Sequence, residues 1–221
     1  MSKYFIGTYT NWCKEYCDHQ FFERLGQLRD DSPVVVVDNT DPSKHNYASY
    51  LSELMFKLCP NQVVHRVHWY QAKEDHQFHY NVEASASLIR ERFLSSDLPY
   101  LLLVESDVIP PVDLLTQLDT TIAKLPSDWG ILGCLYYDGF HDYSKTGIHE
   151  TNHALSGCTV YRREVIERYP FRVSAENWAA FPDAWICHDV NSDAIYRIFN
   201  DHDIRCEHLH YQGVSRQSKP L

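Results

Sequence analysis

Two carboxylates stand at the end of an apolar run near the middle of the chain. The run is Tyr100–Val104, and Glu105 and Asp107 follow it at a spacing of two residues. Residues two apart in an extended segment project to the same side. Both acids would then lie at the carboxyl end of a buried strand, where open α/β sheets bind their ligands. Two hard oxygen ligands on a rigid strand end suit Mg²⁺ or Mn²⁺. The alternative is a pair of acids that only decorate a helix N-terminus, where the dipole favours them.

Three residues in the last part of the chain could complete such a site. Asp189 precedes an apolar pattern over Val190–Asn200 that predicts a helix, so we expect its carboxylate at a helix N-terminus. There it would stay ionised and could accept a proton as a general base, or it could act only as a helix cap. His208 and His210 lie two apart on a predicted strand, so one face could present both imidazoles to a metal ion.

A second metal motif competes with this interpretation. The segment from His149 to His153 reads His-Glu-Thr-Asn-His and matches the H-E-x-x-H pattern of zinc peptidases. That pattern needs a helix, on which the two histidines face the same way and the glutamate acts as general base. Gly147 and Gly157 leave little room for such a helix, and Thr and Asn are poor helix formers. We therefore predict a polar loop over Asp138–His153 and keep the zinc peptidase as an alternative.

Composition restricts the class of protein. The chain has 221 residues, of which 44% are hydrophobic, so we predict one globular domain over residues 1–221. A formal net charge of −10 argues against a broad surface for nucleic acid or anionic membrane. No apolar run reaches the roughly 18 residues of a membrane span, and the N-terminus lacks an apolar signal-peptide core. Seven cysteines without paired spacing favour reduced thiols, so we predict a cytoplasmic protein.

Strand and helix patterns alternate through the first half of the chain. The predicted strands are Lys3–Thr8, Val34–Val37, Val63–Trp69 and Tyr100–Val104. The predicted helices are Glu15–Leu28, Asn46–Leu58, Val82–Leu94 and Val112–Leu125. An unbroken run of valines marks a parallel strand that is covered on both faces. This order predicts an α/β fold with a doubly wound, mostly parallel sheet.

The rhythm changes after Trp129, which predicts a smaller mixed portion. Here the predicted strands are Gly130–Tyr136, Ala154–Tyr161 and Ile204–His210, and the predicted helices are Arg163–Tyr169 and Val190–Asn200.

Several short motifs, taken in this order, resemble those of GT-A glycosyltransferases, most closely the family 2-like group. The resemblance extends from about Tyr4 to Gly213. Its motifs are the first-strand loop 7–11, the second-strand end 34–40, a DxD-like Glu105-Ser106-Asp107, the glycine-containing strand 155–164, His188-Asp189-Val190, and His210-Tyr211-Gln212-Gly213.

The resemblance implies a metal-dependent enzyme that moves a hexosyl or pentosyl group from a nucleoside-diphosphate sugar to an acceptor hydroxyl. It implies a GT-A type, Rossmann-like fold, with a nucleotide-sugar-binding half (about 1–111) and an acceptor-binding half (about 112–221). By resemblance, Thr8, Tyr9, Asp38, Glu105, Ser106 and Asp107 contact the donor. Glu105, Asp107 and His210 hold Mn²⁺ or Mg²⁺, Gly157 and His188 face the acceptor, and Asp189 is the base of an inverting reaction.

Two departures from the family pattern are visible. His188 stands where the family usually has a glutamate before the catalytic aspartate. The Arg-Asn signature of the donor-side helix is also absent, and Asn81, Ser85 and Arg90 occupy that neighbourhood.

Other functions and the identity of the acceptor stay open at this point. A sugar nucleotidyltransferase would carry a glycine-rich loop after the first strand, whereas residues 7–11 contain one glycine. A non-catalytic module that binds nucleotides or sugars is a further alternative. Lacking a membrane anchor, the chain is expected to act on a soluble acceptor without stable membrane insertion, and a modified nucleic acid is among the acceptors that fit.

Overall fold

Apolar runs of valine, leucine and isoleucine build the sheet of this protein. In the computed structural model, the described residues are 2–28, 31–59, 64–70, 77–136, 143–154, 157–174, 181–210 and 214–215. The strands among them are β1 (Tyr4–Thr10), β2 (Val34–Asp38), β3 (Val64–His68), β4 (Tyr100–Val104), β5 (Val108–Ile109), β6 (Trp129–Tyr136), β7 (Ile148–Thr151), β8 (Cys158–Arg162), β9 (Arg197–His210) and β10 (Val214–Ser215). The helices are α1 (Glu15–Gln27), α2 (His45–Leu58), α3 (Gln77–Leu94), α4 (Leu114–Ile122), α5 (Arg163–Arg168) and α6 (Pro182–Asp193).

One sheet connects the two halves of the chain. Its order is β10-β9-β6-β8-β4-β1-β2-β3, and β5 and β7 also pair with β9. The first half is parallel, because β1 pairs in parallel with both β2 and β4, and β2 pairs in parallel with β3. In the second half β8 is antiparallel to β4 and to β6, whereas β6 and β9 are parallel. This confirms the predicted α/β fold with a mixed second portion.

Helices cover both faces of the parallel half, as the run of valines predicts. All five residues of β2 are buried. Val34 and Val36 pack in one cluster with α1 and α2 residues, whereas Val35 and Val37 pack in the opposite cluster with α3 residues such as Ile89. The alternation follows from the two-residue period of a strand. These two layers fix the strand ends that carry the candidate site.

A buried acid lies under the end of β1. The Asp18 carboxylate of α1 accepts hydrogen bonds from the Thr10 hydroxyl at 3.1 Å and the Tyr47 hydroxyl at 2.7 Å. Those two hydroxyls lie 3.0 Å apart. Burial raises the pKa of Asp18 from its ordinary 3.8 to about 7, although the two hydroxyl groups partly offset it.

Asp18→Asn is expected to raise the free energy of unfolding above that of the parent, and to do so more at pH 8 than at pH 5. The folded state holds the Asp18 proton more tightly than the unfolded state. This carboxyl therefore lowers the free energy of unfolding as pH rises from about 4 to about 7, by up to about 4 kcal/mol. Asparagine can accept from one of the two hydroxyl groups and donate to the other, and it removes the titration. Denaturant unfolding from pH 4 to 8 measures the effect, and the exposed Glu53→Gln on α2 is the control. Parallel pH profiles for Asp18→Asn and the parent would contradict this prediction.

The helix predicted over Val190–Asn200 is wrong. The observed α6 begins at Pro182 and ends at Asp193, where Ala194 adopts a left-handed conformation with φ 52°. Ile198 and Phe199 instead enter β9 and pair with Ile131 and Leu132 of β6. Proline is favoured in the first turn of a helix, which agrees with the start at Pro182. The apolar residues predicted to form one face of a helix are instead paired with β6 in the sheet. Asp189 consequently lies in the last turns of α6, not at a helix N-terminus.

The His-Glu-x-x-His segment is extended, which removes the basis for the zinc peptidase alternative. Residues 148–151 form β7, which is antiparallel to β9. Consecutive strand residues point to opposite faces, so His149 contacts the Thr146 carbonyl at 2.8 Å while Glu150 accepts from Arg197 at 3.1 Å. The two histidines therefore lack the helical spacing that the motif needs, and β7 also replaces part of the loop predicted over Asp138–His153.

Two further expectations concern the whole chain. All seven cysteines lie in described segments and are free thiols. None of the helices in the described residues combines the length and the apolar character of a membrane span.

Candidate functional site

A cleft opens where the parallel strands β1 and β4 end. Because the two strands are neighbours in the sheet, the residues that follow them meet at one edge. The cleft has about 820 Å³ of empty volume, open solvent at its mouth included. Its charged lining residues are Lys14, Glu105, Asp107 and Asp183. The other lining residues are Tyr9, Thr10, Asn11, Asn39, Val82, Ser106, Tyr136 and Phe181.

Glu105 lies at the floor of the cleft, directly after β4. Its backbone N–H donates to the Gly157 carbonyl at 2.9 Å, and its Oε1 accepts from the Tyr9 hydroxyl at 3.2 Å. Burial, followed by the nearby charge of Asp107, raises the pKa of Glu105 to about 7. Asp183 raises it further, whereas Lys14 lowers it. The cleft therefore holds three acids close enough to oppose one another's ionisation.

Asp107 lies in the turn between β4 and β5 and is held there by β9. Its carbonyl accepts from the Leu209 N–H of β9 at 2.8 Å, and its Oδ2 lies 3.5 Å from His208 Nε2. Burial favours the neutral carboxyl, but the contact with His208 and the charge of Lys14 outweigh it and lower the pKa of Asp107 to about 2. Asp107 Oδ1 is buried and has no hydrogen-bond partner among the residues that the structure describes. One oxygen of a charged group is thus available to a ligand.

Lys14 is a cleft residue that the sequence analysis missed. It ends the short 3₁₀ turn Trp12–Lys14 after β1, and its ammonium pairs with Asp107 Oδ2. Burial opposes the positive charge, but the neighbouring Asp107 outweighs it and raises the pKa of Lys14. A single lysine in a turn belongs to no recognisable sequence motif, so only the folded chain shows that Lys14 contacts Asp107.

Asp183 is the second missed residue. It occupies the first turn of α6 behind Pro182, and its Oδ2 lies 3.7 Å from His153 Nε2. The carboxylate side chain is 17% exposed. A proline followed by an acid is a helix-start signal, so Pro182-Asp183 could have predicted both the helix and an acid at its N-terminus.

Among the predicted donor contacts, Tyr9, Glu105, Ser106 and Asp107 line the cleft. Thr8 and Asp38 lie deeper and are fully buried.

Asp38 has its own partners in the interior. It accepts from Arg66 at 2.5 Å and from the backbone N–H of Thr40 at 3.0 Å. Its neighbour Asn39 reaches the cleft instead and donates to the Ser85 hydroxyl at 3.1 Å. The second strand therefore presents an amide to the cleft and keeps its acid for an internal ion pair.

Asp189 and His188 lie away from the cleft lining. Both oxygens of Asp189 accept from the Arg172 guanidinium, at 3.0 and 2.7 Å. This bidentate bond lowers the pKa of Asp189. The His188 side chain is 63% exposed and packs beside Trp185. The pair predicted to serve the acceptor thus lies five and six residues further along α6 than Asp183, the acid that lines the cleft.

Gly157 supports the site through close packing. A Cβ at this position would lie 2.8 Å from Val108 Cγ2 and 2.9 Å from the Tyr136 ring. Glycine therefore allows β8 to start directly beside the turn that carries Glu105. Leu155, Ser156 and residues 211–213 of the quoted motifs lie outside the described residues.

The two histidines of β9 lie close together, as expected for residues two apart on one strand. The His208 and His210 rings are 4.5 Å apart, and it is His208 that contacts Asp107. In the described residues, no three acids, histidines or cysteines are arranged to hold a metal ion. The donor chemistry nevertheless suits one, because Asp107 presents an unpartnered carboxylate oxygen, shares the cleft with Glu105 and has the His208 imidazole 3.5 Å from its other oxygen.

Comparison with solved structures identifies the architecture. S. aureus TarS 1-349 in complex with UDP-GlcNAc matches with a TM-score of 0.61 and 16% identity, over 100% of this chain and 62% of that one. The mannosyltransferase PcManGT from Pyrobaculum calidifontis, in complex with GDP-Man and Mn²⁺, matches with a TM-score of 0.59 and 15% identity. That match covers 96% of this chain and 58% of the other. The chain has a GT-A fold.

The GT-A likeness is one of structure. A197 from STIV also matches, with a TM-score of 0.55 and 11% identity, over 99% of this chain and 92% of that chain. This chain spans only about three fifths of the length of the TarS and PcManGT chains, at 62% and 58%. No protein-family model matches the sequence, and no curated protein matches it.

Proposed function

We propose that this protein is a glycosyltransferase that moves a sugar from a nucleoside-diphosphate donor to an acceptor hydroxyl, with a divalent cation and with inversion. The observation that supports this most directly is the cleft, which gathers Glu105, Asp107, Asp183 and Lys14 at the strand ends of a GT-A fold. Related folds bound to UDP-GlcNAc or to GDP-Man and Mn²⁺ support the donor class.

Two sets of cleft residues would bind the donor, one through a metal ion and one through the nucleoside. Glu105 and Asp107, with His208 or His210, would hold Mn²⁺ or Mg²⁺. The cation would neutralise charge on the leaving diphosphate as a Lewis acid. Tyr9 and Asn39 line the same space and offer a ring and an amide to the nucleoside. Ser106 adds a hydroxyl between the two acids.

The proton-accepting part of the proposal moves from Asp189 to Asp183. A base must reach the acceptor hydroxyl inside the cleft, and Asp183 lines the cleft whereas Asp189 is bound by Arg172. The first turn of α6 favours an ionised carboxylate, which can take the acceptor proton on one oxygen as the hydroxyl attacks the anomeric carbon. Phe181 and Tyr136 line the adjoining wall and offer ring faces to an acceptor.

A ligand screen tests this function directly. Thermal unfolding is measured with UDP, GDP and other nucleoside diphosphates, each with and without Mn²⁺. Ligand binding stabilises the folded state by mass action, so at least one nucleotide is expected to raise the melting temperature more when Mn²⁺ is present. Absence of a shift with every nucleotide under both conditions would refute the proposed donor class.

Asp107→Asn is expected to weaken nucleoside-diphosphate binding in the presence of Mn²⁺ by about 100-fold, or about 2.7 kcal/mol. The change keeps the shape of the side chain and removes the charge that would bind the cation. Isothermal titration calorimetry with the nucleotide found in the screen measures the loss. Asp113→Asn, an exposed acid six residues further on, is the matched control and should bind like the parent. Equal affinities for Asp107→Asn and the parent would exclude Asp107 as a metal ligand.

A further inference from the structure

The Lys14 ammonium occupies a carboxylate that the proposed function assigns to a metal ion. Lys14 Nζ pairs with Asp107 Oδ2, and the two side chains are 25% and 8% exposed. The same oxygen also lies 3.5 Å from His208 Nε2. Asp107 Oδ1, by contrast, has no partner in the described part of the chain. One oxygen of the Asp107 carboxylate is therefore already paired with a cation of the protein itself.

The charges around the cleft explain why a lysine is needed there. Glu105, Asp107 and Asp183 line one cavity. Ionised carboxylates that share a cavity repel one another. Lys14 also lines the cleft, and its positive charge offsets part of this negative charge. A divalent cation on Asp107 would meet the ammonium at short range in a partly buried place, where like charges repel strongly. The Lys14 ammonium on Oδ2 therefore opposes the binding of a divalent cation to Oδ1 of the same carboxylate.

We propose that Lys14 and the divalent cation exchange at Asp107, and that the displaced ammonium then binds the diphosphate of the donor. The proposal rests on the proposed function, since it needs a donor with phosphates. Lys14 and Asn11 line the cleft from the turn that follows β1. The four-carbon stem of lysine is flexible, so the ammonium can turn from the carboxylate to a phosphate in the same cavity. Lys14 then acts as a positioning residue for the leaving group.

Direct titration of Mn²⁺ tests the exchange without any donor. The free Mn²⁺ signal in electron paramagnetic resonance is followed for the parent and for Lys14→Met, which keeps the length of the stem and loses the charge. The variant is expected to bind Mn²⁺ about tenfold more tightly, because its competitor is gone. Lys14→Arg keeps a positive charge and should bind Mn²⁺ as weakly as the parent.

Nucleotide titration tests the second half of the exchange. At saturating Mn²⁺, Lys14→Met is expected to bind UDP or GDP about tenfold more weakly than the parent, since the phosphate loses a cation. A gain in Mn²⁺ affinity together with a loss in nucleotide affinity is the signature of exchange. If the ammonium only stabilised the fold, its removal in Lys14→Met would lower both affinities. Unchanged Mn²⁺ binding, or unchanged nucleotide binding, overturns the proposal.

Controls separate this proposal from the function on which it rests. Lys44→Met removes an ammonium that lies 4.5 Å over the exposed Trp12 ring, outside the cleft, and should change neither affinity. Lys14→Gln replaces Lys14→Met if the latter does not melt cooperatively. If the parent binds no nucleotide with or without Mn²⁺, the proposed function fails. The Mn²⁺ titration of Lys14→Met then still decides whether Lys14 and the cation compete.

Discussion

Asp183→Asn is expected to lower the rate of sugar transfer by about 10²–10⁴-fold while donor binding is retained. The substitution is nearly isosteric, but it removes the carboxylate that we propose as the proton acceptor. Hydrolysis of the donor sugar, with water as acceptor, gives a readout before the natural acceptor is known. Calorimetry with the nucleoside diphosphate checks that the variant still binds its donor.

Asp189→Asn is the matched control for the base, because it changes an acid on the same helix. Asp189 is bound by Arg172 and lies away from the cleft lining, so its loss should reduce turnover far less than that of Asp183. The opposite ranking would return the base to Asp189, where the sequence placed it. Proton NMR of the first-formed product decides the stereochemistry, since retention of the donor's anomeric configuration is incompatible with a single displacement by either base.

Leu103→Asp is expected to abolish cooperative folding. Leu103 is 4% exposed in β4, at the centre of the sheet, where it pairs with Gly7 of β1 and Thr159 of β8. Burying an unpaired carboxylate there costs more than about 4 kcal/mol, a large part of the usual stability of a domain. Circular dichroism and thermal melting measure the result.

Val112→Asp provides the comparison for this prediction. It introduces the same charge nine residues later, at a side chain that is 55% exposed. It should melt like the parent. A Leu103→Asp protein with a native, cooperative melting transition would mean that β4 is not a central strand.

The strands and helices of the first half are predictable because their signals are local. The unbroken runs of valine in β2 and leucine in β4 predict strands that are covered on both faces. Both observed strands match their predicted bounds within a few residues. The start of α6 differs from the prediction because the apolar residues around Ile198 have a spacing that also fits a helix. Pairing between β6 and β9, which a single sequence window does not contain, decides that segment.

The candidate site divides in the same way. Glu105 and Asp107 are found from the sequence, because a strand followed by two spaced acids is a contiguous pattern. Lys14 has no such pattern, and its role depends on β1 and β4 being neighbours in the sheet. Thr8 and Asp38 were expected at the donor but are buried in the interior, since the sequence does not state which of several adjacent polar residues turns outward.

The contacts that build the cleft have a consequence for the order of folding. Lys14 and Asp107 are 93 residues apart in the chain, and Tyr9 and Glu105 are 96 apart. Contacts of such long range close large loops and form late relative to local helices. Nucleotide binding should therefore recover only with the last and slowest phase of refolding, after helical circular dichroism has returned. In refolding experiments, a bound nucleoside diphosphate would report the completed tertiary structure.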